Sequence, residues 1–222
     1  MKFRIALLAS AVLFAGAASA GDGLYAGAGV GGGTVSLPGS KITNDVVWAF
    51  DYAGAPLVTW SYKTHETATM WSAFAGYRFL KYFGIEAGYL DTGTVSYRGS
   101  GTADLGESGI LPAKANLDWR AYGWPVSALA AWPINDRWEI FGRAGAFFGN
   151  VRDDLKITID TVSEKAHDTS STTEFIGGVG FNGQFMDQWS ARFEWLTIPS
   201  LGSNHSGSAD WNAFQFSLLY SF

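Results

Sequence analysis

Large apolar residues recur on every second position in eight stretches of the chain. These are 24–30 (LYAGAGV), 70–79 (MWSAFAGYRF), 83–90 (FGIEAGYL), 124–132 (WPVSALAAW), 138–148 (WEIFGRAGAFF), 175–181 (FIGGVGF), 189–195 (WSARFEW) and 213–222 (AFQFSLLYSF). A period of two marks a strand, because successive side chains leave a pleated backbone on opposite sides. Trp71, Ala73, Ala75, Tyr77 and Phe79 share one face, as do Phe214, Phe216, Leu218, Tyr220 and Phe222. The links between stretches alternate in length. LKY (80–82), PINDR (133–137) and MDQ (186–188) are short, whereas 36–66, 98–118, 153–171 and 199–210 are long and polar. An up-and-down meander across an outer membrane has this alternation, with short turns at one end and long loops at the other.

The opposite faces carry Arg78, Glu86, Arg143, Arg192, Glu194, Gln215 and Ser217. A soluble sandwich would turn its apolar faces inward, and it has no reason to sort its loops by length. A closed sheet with lipid outside and charges inside accommodates both faces. The expected fold is therefore all-β, an eight-stranded antiparallel up-and-down transmembrane β-barrel whose interior its own side chains just fill. Arg78, Glu86, Arg143, Arg192 and Glu194 form the expected luminal charge network, with one positive charge left for water or a carbonyl. Paired charges of this kind plug and stiffen a lumen; a small gated conductance is the other reading. Leu219 falls on the luminal side, so that lumen is expected to be partly packed. Trp124, Trp132, Trp138, Trp189, Trp195 and Tyr220 lie near strand ends, where aromatic rings form girdles at membrane–water boundaries.

Composition narrows the setting. The opening MKFRIALLASAVLFAGAASA places Lys2 and Arg4 before an apolar run and the small residues Ala18-Ser19-Ala20. This reads as a signal peptide over 1–20, ahead of a barrel domain over 21–222; the run is short for a spanning helix. The formal charge of −5 falls to −7 without Lys2 and Arg4, which argues against a nucleic-acid partner. With no cysteine, disulfides and thiol catalysis are excluded.

The stretch FAGYRFLKYFGIEAGYLDTG (74–93) resembles the OmpA-like outer-membrane β-barrel family, through Gly76, Tyr77, Phe79, Tyr82, Glu86, Gly88 and Tyr89. WEIFGRAGAFF resembles that family's fifth strand, with Arg143 at its luminal Arg. FIGGVGFNGQFMDQWSARFEW (175–195) resembles the sixth and seventh, with Arg192 and Glu194 matching a luminal Arg-x-Glu. The resemblance implies residence in the cell outer membrane and Phe222 as a signal read by the barrel-assembly machinery. It also implies contact with outer-membrane lipid and lipopolysaccharide, and an unidentified surface ligand at the loops. Gly180 and Leu129 depart from a luminal Glu and a luminal Lys found in relatives of OmpA itself, so the salt-bridge gate of that protein does not carry over intact. A peptidoglycan-binding domain is not expected, because the chain stops at Phe222. The loop 36–66 is longer than in minimal adhesin barrels.

Other motifs carry little chemistry. Gly27-Ala28-Gly29-Val30-Gly31-Gly32 fits G-x-G-x-x-G, but no βαβ unit surrounds it, and a cofactor is not expected. His205 and Ser206 adjoin in the last long link; neighbours on a strand point to opposite faces and would not meet as base and nucleophile. Asn204-His205-Ser206 forms an incidental glycosylation sequon. His65, His167 and His205 lack metal-ligand spacing. Asp153, Asp154, Asp160 and Asp168 lack a calcium-loop pattern. The expected protein is a non-enzymatic outer-membrane barrel with a structural or surface-interaction role through four long outer loops. A narrow porin and a lipid A-modifying enzyme are the alternatives.

Overall fold

The computed structural model describes residues 23–36, 39–203 and 207–222. The signal-peptide stretch lies outside them, as do Asn204, His205 and Ser206. All eight alternating stretches lie in strands, with Phe222 just past the end of the last one. The elements are β1 (Gly23–Val35), α1 (Gly39–Tyr52), β2 (Leu57–His65), β3 (Thr67–Leu80), β4 (Phe83–Asp104), β5 (Ile110–Pro133), β6 (Trp138–Ile159), β7 (Val162–Gln184), β8 (Trp189–Ser203) and β9 (Gly207–Ser221). A single-turn 3₁₀ segment, Gly106–Ser108, joins β4 to β5.

The strands form one antiparallel sheet in the order β2-β4-β3-β1-β9-β8-β7-β6-β5, and an additional β4–β5 pairing closes it on itself. The sheet has nine strands, which corrects the eight-stranded barrel expected from the apolar alternation. The strand missed is β2 (LVTWSYKTH), whose short alternation of Val58, Trp60 and Tyr62 lies inside a link read only as long and polar. It pairs with β4 from Leu57↔Ala103 to His65↔Ser96, along the same edge of β4 that β3 occupies from Trp71↔Asp91 onward. The two are separated at Glu66, whose carbonyl accepts the Val35 N–H at 2.9 Å. Beside the break, β4 shifts register against β5 between Asp91 and Thr94. Gly93 sits in that bulge at φ 75°, and a Cβ there would fall 2.3 Å from the Thr69 carbonyl oxygen. The bulge therefore admits only glycine.

The long links differ from expectation as well. The β4–β5 ladder continues to Asp104↔Ile110 and the β6–β7 ladder to Ile159↔Val162. Most of 98–118 and 153–171 is thus strand, and 36–66 holds α1 and β2. Backbone pairing there needs no apolar stripe, because the outward face of the projecting part carries polar side chains. The β7–β8 pairing begins only at Gly177↔Thr197. Beyond the closed part, then, β2, β4, β5, β6 and β7 project as an open sheet. Ile42, Val46 and Phe50 recur every four residues along α1, making an apolar stripe. They pack on Tyr97, Ala103, Ala113 and Ala115 of the projecting strands. The Trp60 indole donates to the Tyr97 hydroxyl at 3.1 Å, and Thr43 shares a 2.8 Å hydrogen bond with it, pinning α1 down.

Candidate functional site

Alternation sends one set of side chains outward and the other into the lumen. Outward, Val30, Trp71, Ile85, Val126, Ile140, Val179 and Phe216 are exposed, an arrangement stable only against lipid. Inward, Glu86, Arg192, Glu194, Gln215 and Ser217 are buried.

The lumen is layered from the short-turn end upward. At that mouth lies a vestibule of about 1210 Å³, whose lining includes Arg78, Trp132, Trp138, Glu139 and Asn182. Arg78 forms a two-pronged pair with Glu139, both bonds 2.7 Å. The Asn182 amide donates to Glu139 at 2.6 Å and accepts from Arg192 Nε at 2.9 Å. Arg192 Nη1 donates to Glu86 Oε1 at 2.5 Å, and the Tyr25 hydroxyl donates to the same oxygen at 2.8 Å. Arg143 binds the other Glu86 oxygen. Its Nε lies 3.3 Å from Glu194 Oε2, an ion pair without hydrogen-bond alignment. The Arg192 guanidinium also lies over the rings of Phe141 at 4.7 Å and Phe74 at 5.1 Å. Such contacts supply attraction where water is excluded. Gly76 makes room for this cluster: a Cβ there would meet the Tyr25 ring at 2.3 Å and Glu86 Cγ at 2.8 Å.

The structure thus brings together Arg78, Glu86, Arg143, Arg192 and Glu194 and adds Tyr25, Glu139 and Asn182. Glu139 corrects the expected charge balance, because three Arg now meet three Glu and no positive charge is left over. Glu139 stands four residues before Arg143 on the same face of β6, so the period-two pattern held the signal. Gly180 pairs in register with Glu194, and a Cβ there would meet Glu194 Cβ at 2.8 Å. Leu129 is buried with Ala131 and Phe141.

Above the charges, Gln215 Nε2 donates to Ser72 Oγ at 2.7 Å and Ser217 Oγ at 2.6 Å. Higher still, Met70, Leu90, Trp119, Phe147, Ile176 and Trp211 belong to a continuous apolar cluster across the lumen. Met70, Phe147 and Trp211 are fully buried. Next come the underside of the projecting sheet and α1.

Among the aromatic residues expected at boundaries, Trp132, Trp138, Trp189 and Tyr220 stand at the short-turn end. Tyr82 packs on Trp132 at 5.7 Å, Trp189 on Tyr220 at 5.1 Å, and Tyr220 on Phe222 at 5.1 Å. Trp124 lies far along the strands, 5.5 Å from Tyr89, which in turn lies 5.3 Å from Trp71. Trp195 is opposite Val179 and Phe214 on the outer surface. The Phe222 N–H donates to the Leu24 carbonyl at 3.0 Å, tying the strand end to β1.

Among the described residues no group of His, Cys, Asp or Glu could hold a metal ion. No described helix is long and apolar enough to cross a membrane. The glycine motif of 27–32 lies inside β1, flanked by antiparallel β3 and β9, so the βαβ context of a dinucleotide site is absent there. The expected acidic loop is strand: Asp154 pairs with Arg152 at 2.8 Å, and Asp153 is opposite Asp168. The hydrogen bonds to Asp154 raise the Arg152 guanidinium above its ordinary pKa, so it stays cationic.

Comparison with known proteins agrees with this geometry. The family model described as the OmpA-like transmembrane domain matches residues 19–221. Outer membrane protein A of Shigella dysenteriae is 28% identical over 143 residues, 64% of this chain and 36% of that protein. Outer membrane protein A of Escherichia fergusonii is 32% identical over 116 residues, 52% of this chain and 29% of that protein. The matched region thus spans about a third of those relatives. The crystal structure of Neisserial surface protein A aligns over 90% of this chain and 97% of that one, with a TM-score of 0.51 and 10% identity, a likeness of fold alone.

Proposed function

Because the chain belongs to the OmpA-like transmembrane domain family, we propose that it is a non-conducting, non-enzymatic scaffold whose working part is the sheet projecting beyond the lipid. It resides in the outer membrane of the Gram-negative envelope, embedded in lipid through its apolar outer face. The short turns face the periplasm and the projecting strands face outward, as the lengths of the links suggest. Lipopolysaccharide surrounds the outer half, and the barrel-assembly machinery reads the terminal strand through Phe222.

One observation carries the reading. Met70, Leu90, Trp119, Phe147 and Trp211 fill the lumen above a charge-balanced network, which leaves no wide aqueous path. The narrow porin is disfavoured for that reason. A rigid closed sheet under a helix-covered platform suits presentation of a surface, where binding on scaffolds usually resides.

Two measurements test this. Pure refolded protein in planar bilayers should give no steady, salt-dependent channels; such channels would overturn the scaffold reading. The chain lacks cysteine, so single Thr161→Cys and Asp136→Cys variants report orientation cleanly. A membrane-impermeant maleimide added to whole cells should label the first and spare the second.

A further inference from the structure

The projecting strands sort their charges across the sheet. Lys63 of β2 is opposite Arg98 of β4, Arg98 opposite Asn116 of β5, Asn116 opposite Lys156 of β6, and Lys156 opposite Lys165 of β7. Residues directly opposite in an antiparallel ladder leave the sheet on the same side. One transverse row therefore presents four cations and an amide across five adjacent strands. Its side is the outward one, because the intervening Tyr97 and Ala115 are buried under α1. All four cations are exposed. The next row outward, Ser61, Ser100, Lys114, Thr158 and Ser163, adds a fifth cation among hydroxyls.

The carboxylates on this face are already engaged. Asp118 pairs with Arg98 at 2.5 Å, Asp154 with Arg152 at 2.8 Å, and Asp91 with Arg120, while Asp104 accepts the Gly106 N–H at 2.9 Å. The Asp118 pair partly neutralises Arg98, and Lys63, Lys156 and Lys165 supply the row's net positive charge. By register, Asp153, Glu164, Asp168 and Glu174 lie on the inward side. The whole chain is acidic, at −5, so the outward cations reflect placement rather than composition. Lys156 directly opposite Lys165 is unfavourable without an anion nearby.

We infer that this row is a binding strip for the phosphorylated saccharide of a lipopolysaccharide molecule standing against the protein wall. The inference rests on the outer-membrane reading above and names a partner for its projecting face. The same faces of β5 and β6 that carry the row carry Trp124 and Phe148 nearer the lipid. The row lies eight residues farther along both strands, about 26 Å at ~3.3 Å per residue. An amphiphile whose acyl chains lie beside those rings therefore reaches it with the outer part of an extended saccharide rather than with its lipid-proximal head. Strands lie about 4.8 Å apart, so the row spans about 20 Å, a length suited to several phosphates rather than one. Lysine ammonium groups bind phosphate as mobile point charges.

The test uses wild type and a Lys63→Gln/Arg98→Gln/Lys156→Gln/Lys165→Gln variant, each refolded into nanodiscs of zwitterionic phospholipid. Purified lipopolysaccharide is titrated in, and its retention is measured. The variant should bind about tenfold more weakly or worse. The difference should vanish in about 0.5 M NaCl and with enzymatically dephosphorylated lipopolysaccharide. A Lys81→Gln/Arg137→Gln control at the short-turn end should bind as wild type does. Equal binding by the quadruple variant, or undiminished binding of dephosphorylated material by wild type, overturns the inference. So does a soluble heparin fragment bound as tightly as lipopolysaccharide, which would make the strip a site for free polyanions. Heat-dependent migration in SDS reports whether each variant is folded. If the quadruple variant is not, the Lys156→Gln/Lys165→Gln pair should still lose about threefold, and no loss overturns the inference. Labelling of Asp136→Cys in place of Thr161→Cys would instead overturn the outer-membrane orientation, whatever the nanodiscs show.

Discussion

The two halves of the lumen are filled by opposite chemistries. Near the short turns, Arg78, Arg143 and Arg192 meet Glu86, Glu139 and Glu194 through ion pairs, all but the one to Glu194 hydrogen-bonded, that tie together β3, β4, β6 and β8, with Asn182 adding β7 and Tyr25 adding β1. Farther up, the apolar cluster draws at least one residue from β1 and from every strand β3 to β9. The lower half holds strands by charge and the upper half by shape. A missing partner below leaves a charge in a medium that cannot solvate it. A missing side chain above leaves a void that neighbours close only in part. Both seal the interior, but they should fail differently.

The contrast can be broken at three points. Glu86→Gln strands Arg143 and Arg192 and should cost about 3–5 kcal/mol, measured by denaturant unfolding from lipid vesicles. A loss under about 1 kcal/mol would mean that water reaches the network. Leu90→Ala, in the apolar half, should cost about 3 kcal/mol and leave the lower network intact, so that Glu86→Gln adds to it independently. The smallest effect is expected at the vestibule, where the Arg78–Glu139 pair keeps 15% and 16% side-chain exposure. Replacing both, as Arg78→Met with Glu139→Leu, should change stability by no more than about 1 kcal/mol, whereas either change alone should cost more.

How much of this was legible in the sequence depends on which solvent each residue faces. Lipid demands an apolar side chain on every outward position, so the alternation located eight strands, their faces and five members of the charge network. The projecting strands face water, where SEKAHDTSSTT of β7 pairs its backbone as well as an apolar segment would. No periodic signal marks it, and links expected as loops proved to be ladder. β2 was lost for another reason: Val58, Trp60 and Tyr62 do alternate, but only over a few residues inside a segment read for its polarity, and the strand count went with them. The helix was more accessible: Ile42, Val46 and Phe50 already show its stripe, hidden within a segment read only for polarity. Asn182 and Tyr25 carry no charge, and only the closed sheet brings them to Arg192 and Glu86. The cation row is a matter of register between strands, which no single stretch of sequence contains.

The seam between β1 and β9 has a consequence in time. Its register runs from Tyr25↔Ser221 to Val35↔Trp211, joining segments from the two extremes of the described chain. Contacts between such distant segments form slowly, because so much chain must be ordered before they can be made. Until then both strands keep open edges, each a template for the wrong neighbour. The hazardous interval of this protein's life is therefore the one before the seam shuts, and a variant that weakens Tyr25 or Phe222 should betray itself first in yield and only later in stability.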